Sequence, residues 1–127
     1  MTLLVVGLGG AAGAVSRYLA SGWVQSLAGT FFPWGTFAVN ISGSLALGFS
    51  WVWLQSTIVS PELRDLVMMG FLGSFTTFST FSYETLALLR DGEWWQATGY
   101  ALGSLVVGLL AVAAGAALAA TLHEGSA

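Results

Sequence analysis

The sequence contains no cysteine and no lysine. Without cysteine there are no disulfides and no thiolate metal ligands. Without lysine, Arg17, Arg64 and Arg90 carry all the permanent positive charge. Acidic residues are also few: Glu62, Asp65, Glu84, Asp91, Glu93 and Glu124. Charged residues make up 7% of the chain, against about 25% in an ordinary soluble domain. A chain this poor in charge has no surface to offer water, and no nucleic-acid partner is expected. It also has no metal-ligand cluster and no nucleophile–base pair, so it is not read as an enzyme. The pI near 4.6 rests on a net charge of only −3 and says little about partners.

What is present is apolar. Of 127 residues, 56% are hydrophobic, and the mean hydropathy is +0.81. Uncharged blocks cover 1–16, 18–61, 66–83 and 94–122. A helix needs only ~20 residues to cross ~30 Å of hydrocarbon, so the 18–61 block holds more than one span. Pro33, between Gly29 and Gly35, interrupts it. The pattern predicts an all-α membrane protein, a single transmembrane domain over 1–127 with spans at about 2–26, 35–55, 63–90 and 95–121. The N-terminus lacks the basic start and Leu-rich core of a secretory signal.

The arginines give weak topological information. Lys/Arg excess marks cytoplasmic loops, but Arg64 falls on one side of these spans and Arg90 on the other. Arg17 lies ~21 Å along the first span at 1.5 Å per residue, near the side of Arg90. A chain addressed so weakly can insert both ways, which permits an antiparallel dimer, the two-chain counterpart of an inverted repeat. Four short helices enclose little space, so a pathway calls for a second subunit.

Small residues recur at spacings that let membrane helices approach closely. Gly9 and Gly13 form one such pair, Ser44 and Gly48 another, and Gly99/Gly103 and Ser104/Gly108 two more. "VVGLGGAAG" (5–13) mimics a dinucleotide fingerprint, but that motif requires a preceding strand and an acid about 20 residues on. No acid occurs before Glu62. Trp23, Trp34, Trp51, Trp53, Trp94 and Trp95 fall near span ends, as an aromatic belt does. His123, beside Glu124, reads as a tail residue.

Four polar features resist a packing-only reading. Asn40 sits ~8 Å into the second span, and its amide can donate two hydrogen bonds. Arg17 can snorkel to an interface or attract anions. Glu84 is an intramembrane carboxylate, which marks a functional site by default. The fourth is "GFLGSFTTFSTFSYE" (70–84). A continuous helix over 63–90 would be ~42 Å long, with its midpoint at Thr76/Thr77, just after Gly73 and Ser74. A break there leaves free carbonyls that suit a cation and free N–H groups that suit an anion. Phe78 and Phe81, three apart, share a face. Aromatic edges are electropositive, and with Ser79, Thr80 and Ser82 they describe a narrow path for a small anion.

These stretches resemble a known family. "GLGGAAGAVSRY" (7–18), "PWGTFAVNISGSLALG" (33–48) and "GFLGSFTTFSTFSYE" (70–84) are similar to the three signatures of the Fluc/CrcB fluoride channels. The resemblance covers nearly the whole chain. It implies an antiparallel, dual-topology homodimer in the inner (plasma) membrane, with two fluoride pores at its interface and a third helix broken near its centre. Fluoride would leave the cell passively down its gradient. Carried over, Asn40 would coordinate fluoride, with Phe78 and Phe81 lining the pore. Ser79, Thr80, Tyr100 and Ser104 would form a polar track. Arg17 and Glu84 would lie at the vestibule and pore end. A structural Na⁺ at the dimer centre would be held by the backbone carbonyls of Gly73 and Thr76. The sequence departs from the family at Ser74, where a second glycine is common, and at Gly108 and Val112, where further hydroxyls are expected.

The main alternative is a small multidrug-type, proton-coupled transporter, also of four spans. Such proteins depend on an acid in the first span, where this chain carries Arg17 instead. A non-transporting scaffold would leave Asn40 and the Phe/Thr/Ser row without a purpose.

Overall fold

A computed structural model describes residues 1–125, and among them every regular element is helical. The order is α1 (Thr2–Ala28), α2 (Trp34–Ser56), α3 (Pro61–Asp65), a π-helical stretch (Leu66–Leu72), α4 (Gly73–Phe75), α5 (Phe78–Arg90) and α6 (Trp94–Glu124). These make five rods, because α3, the π stretch and α4 run on from one another while Thr76 and Thr77 set α5 apart. Three of the helices, α1, α2 and α6, are long and apolar enough to cross a membrane.

Local chemistry sets the ends. Gly29 closes α1 in the left-handed region (φ 60°), with its N–H donating to Gln25 O at 3.2 Å. A residue with a Cβ is strained there, so glycine is the default C-cap. The Gln25 side chain then pins the following loop. Its Nε2 donates to Thr30 O (2.7 Å) and Phe32 O (3.1 Å), and its Oε1 accepts from Gly35 N (3.1 Å). Pro33 directly precedes α2 and Pro61 opens α3, where the missing N–H costs nothing. Ser60 caps α3 by accepting from Leu63 N at 3.2 Å.

With lipid outside, helices gain little from hiding apolar surface and associate through close packing. The glycines show where. A Cβ on Gly9 would lie 2.6 Å from Leu66 O and 3.1 Å from Gly70 Cα, and one on Gly13 would fall onto the Phe71 carbonyl. Gly48 meets the Val112 carbonyl and Gly115 the Leu45 carbonyl, which welds α2 to α6. The 9/13 and 48 positions thus serve as expected. The expected seams at 99, 103 and 108 do not. Within the single chain, a Cβ on Gly99 would meet nothing within 4 Å, one on Gly103 would lie 3.9 Å from the Phe37 ring, and one on Gly108 would lie 4.0 Å from Ile41 and Ser44. The tight contact on α6 is at Gly115, about two turns past Gly108. Four-residue spacing marks a face able to pack; the crossing point decides which part of it does.

Apolar side chains remain on the outside: Leu3 is 90% exposed, Phe31 97% and Trp95 90%. Such a surface is stable in lipid and not in water. The protein is a membrane protein.

Candidate functional site

The third rod stops being helical at Phe75. Thr76 (φ −83°, ψ 155°) and Thr77 (φ −147°, ψ 120°) are extended, and helix resumes at Phe78. A helix end leaves its last carbonyls and the next helix's first N–H groups without intrahelical partners. Some of these are satisfied from α2 and α5. Asn40 Nδ2 donates to Thr77 O at 3.0 Å, and Thr77 N donates to Asn40 Oδ1 at 2.8 Å. The amide thus grips both backbone groups of one residue, a task that needs a donor and an acceptor on one short side chain. Thr77 Oγ1 caps α5 by accepting from Thr80 N at 3.3 Å, and it donates to Thr80 Oγ1 at 3.0 Å. From α1, Arg17 Nη1 approaches Thr76 O at 3.5 Å.

Beside this break runs an open groove of about 440 Å³ whose walls include Asn40, Gly73, Thr76, Phe78, Phe81 and Ser104. The wall is mostly apolar, with a few polar groups converging on it. Ser104 Oγ is buried and has no hydrogen-bond partner among the described residues. A buried polar atom left unpaired costs about 1–3 kcal/mol, and here it lies in the wall of a cavity. Phe78 and Phe81 are neighbours in that wall, with ring centroids 5.8 Å apart.

A second cavity of about 570 Å³ opens near the far end of α5, lined in part by Gln25, Thr36, Glu84, Asp91 and Glu93. The Glu84 carboxylate accepts on both oxygens, from Thr36 Oγ1 (2.8 Å) and from Tyr100 OH (2.7 Å). Tyr100 is fully buried, packed with Leu88 and Ala97 and flanked by Phe32, Phe37, Phe81 and Leu89. Its ring lies 5.0 Å from that of Phe81 and 5.4 Å from that of Phe32. A continuous line of contacts therefore links the carboxylate in one cavity to the phenylalanines in the other.

The fold brings Asn40, Phe78, Phe81, Ser104, Gly73 and Thr76 together around one groove. Glu84 lines the other cavity, with Tyr100 behind it. Arg17 reaches the break rather than either cavity wall. Ser79 and Thr80 are exposed and line neither cavity. Each residue turns a helix by about 100°, so they leave the face that Phe78 and Phe81 share. Three participants escape the sequence reading. Thr77 is signalled only by being an N-cap type just before a helix, Thr36 only by its four-residue spacing to Asn40, and Gln25 by nothing local.

The profile of the family described as CrcB-like protein, Camphor Resistance (CrcB), matches residues 4–116. The chain belongs to this CrcB-like family. Its curated relatives cover nearly the full length on both sides. A protein of Hahella chejuensis named "Fluoride-specific ion channel FluC" is 51% identical over 117 residues, 91% of this chain and 92% of the relative. Relatives of the same name from Geobacter sulfurreducens (49% over 115 residues, 90% and 93% coverage) and Chlorobium phaeobacteroides (50% over 118 residues, 92% and 91%) are equally similar.

Proposed function

We infer that this CrcB-like chain is a fluoride-selective ion channel that lets cytoplasmic fluoride leave passively across the inner (plasma) membrane. What carries this reading is the match, across about nine-tenths of the chain, to curated proteins whose names specify fluoride. The groove supports it physically. Its polar groups are neutral donors beside aromatic rings, a lining that can replace a small anion's hydration shell without a fixed positive charge to trap it.

In this proposal, residues 1–127 form one transmembrane domain of four spans, and residues 61–90 make a single span broken at Thr76/Thr77. Two copies pair antiparallel, so each open groove is closed by the partner and the dimer holds two pores. Asn40, Phe78, Phe81 and Ser104 touch fluoride. Tyr100 belongs to its polar track, with Arg17 and Glu84 toward the ends, and Ser79 and Thr80, which line neither cavity of the single chain, join that track only across the dimer interface. The arrangement is supported by the openness of the groove on a chain whose outer faces are apolar. Liposomes holding the purified protein are expected to lose fluoride rapidly while retaining chloride. Rapid efflux of both ions, or of neither, overturns the reading. The multidrug-transporter alternative lacks support, since no acid lies on α1 or α2.

A structural Na⁺ at the dimer centre completes the proposal. Its donors would be the Gly73 and Thr76 carbonyls of each chain, and the chemistry of the site fits. Alkali and alkaline-earth ions take oxygen ligands, and these carbonyls belong to the frayed end of α4 and its extended continuation. The approach of Arg17 Nη1 to Thr76 O at 3.5 Å supports the reading, since it brings positive charge to the same carbonyl. Replacing Na⁺ by a bulky organic cation throughout purification is expected to weaken the dimer on size exclusion and to slow flux. Indifference of both to the exchange removes the Na⁺ from the account.

A further inference from the structure

Gly43 lies three residues beyond Asn40 on α2, a spacing that puts both on one face of the helix. It is buried, and its surroundings differ from those of Gly9, Gly13, Gly48 and Gly115. Those four meet the backbone of a neighbouring helix. A Cβ on Gly43 would instead fall onto the Thr76 Cγ2 methyl and lie 3.1 Å from Phe75 Cδ1, both side chains at the break. Neither can easily retreat. Thr76 Oγ1 donates to Leu72 O at 3.1 Å, the carbonyl that also accepts from Thr76 N, and this fixes the rotamer that aims the methyl at α2. Phe75 stacks on Phe71, centroids 5.9 Å apart and planes within 9°.

We propose that Gly43 is a positioning residue for the ion path: the space it leaves is the seat for the Thr76 methyl and the Phe75 ring, and this seating sets where Thr77 meets Asn40. The two bonds between Asn40 and Thr77, 2.8 and 3.0 Å, hold only while the break lies flush against α2. A methyl group in the seat pushes residues 75–77 outward, because close-packed interiors transmit such displacements instead of absorbing them. Phe78 follows Thr77 directly, so the start of α5 and its phenylalanines move with the break. Gly43 therefore acts on the path through Thr76 without touching the anion.

The proposal rests on the fluoride-channel reading and is tested by a double-mutant cycle in liposomes. Wild type, Gly43→Ala, Thr76→Ser and the double variant are compared. Serine keeps the hydroxyl that bonds Leu72 O and lacks the methyl that occupies the seat. Gly43→Ala is expected to slow fluoride efflux about tenfold or more, as overpacking of a filled site does. In the Thr76→Ser background the same substitution is expected to change efflux by less than about threefold, because the clash is gone. Gly43→Ala also raises the fluoride concentration at half-maximal flux, a readout that a simple loss of folded protein leaves in place. If Gly43→Ala does not purify, the double variant is read against Thr76→Ser alone: flux within about threefold supports the seat, and a double that is absent or about tenfold slower overturns it. Equal losses in both backgrounds also overturn it, as does wild-type flux in Gly43→Ala. A wild type that releases no fluoride instead overturns the channel reading itself.

Discussion

Asn40→Asp is expected to abolish fluoride efflux while leaving a protein that can still be purified from membranes. The substitution is nearly isosteric and keeps the acceptor that receives Thr77 N–H at 2.8 Å. It deletes the donor to Thr77 O, where a carboxylate oxygen would now face a carbonyl oxygen at about the same 3.0 Å. Leaving that carbonyl unpaired costs about 1–3 kcal/mol. The new negative charge adds a larger effect on conduction, because Asn40 lines the groove. Two like charges 4 Å apart at an effective dielectric of 20 repel by about 4 kcal/mol, which is roughly a thousandfold in occupancy. Asn40→Ser separates the two contributions, since it weakens the grip on Thr77 without adding charge. Its loss is expected to be roughly tenfold to a hundredfold, in line with the hydrogen-bond term alone. Fluoride efflux that survives Asn40→Asp removes Asn40 from the pathway.

Two quite different kinds of information set how far the sequence alone could be read. Scarcity of charge is a property of the whole chain, and from it the all-helical membrane fold follows directly. Turn chemistry is nearly as local. Gly29 and Pro33 mark the end of α1 and the start of α2, and they act through their own φ angles and hydrogen-bonding groups. The π-helical stretch at Leu66–Leu72 has no such signature, because its residues would serve equally well in an α-helix. Within it Gly70 packs closely against Val6 and Gly9 on α1, a contact between residues far apart in sequence. Gly115 escaped notice for a related reason. Its spacing is no better than that of Gly99 or Gly103, and only the crossing of α2 with α6 selects it.

The site shows the same division. Asn40, Glu84 and the phenylalanines stand out because polar or aromatic groups in an oily segment need an explanation. Their partners do not stand out. Thr36 and Tyr100 meet at Glu84 from two other helices, 48 and 16 residues away in sequence. Nothing in their neighbours predicts that meeting. Thr77 looks like one hydroxyl in a row of six, yet it alone is held by α2 and caps α5. The row therefore does not act as a unit. Thr76 and Thr77 organise the break, while Ser82 turns back to Phe78 O at 2.9 Å on its own helix.

Phe81→Ile is the second substitution expected to have a large effect, and the reason lies in how the ring is held. Phe81 packs between Phe78, at 5.8 Å with planes inclined 43°, and Tyr100, at 5.0 Å and 56°. Tilted rings of this kind turn electropositive edges toward one another's faces, and both phenylalanines line the groove. Isoleucine fills much of the same volume and keeps the helix, so assembly persists. It has no electropositive edge with which to replace a water around the anion. If that edge is comparable to a hydrogen bond to a charged group, its loss costs about 1.5–3 kcal/mol, or roughly 10- to 100-fold in fluoride efflux. Tyr100→Phe is the informative contrast. It removes the 2.7 Å hydrogen bond to Glu84 and retains the ring against which Phe81 rests. Glu84 keeps its second donor, Thr36, and the deleted bond lies at the other cavity, outside the groove, so the loss in efflux should stay below about tenfold. A larger loss in Tyr100→Phe than in Phe81→Ile reverses the assignment: the anion would then be handled by the Thr36–Glu84–Tyr100 cluster, and the phenylalanines would serve only as packing.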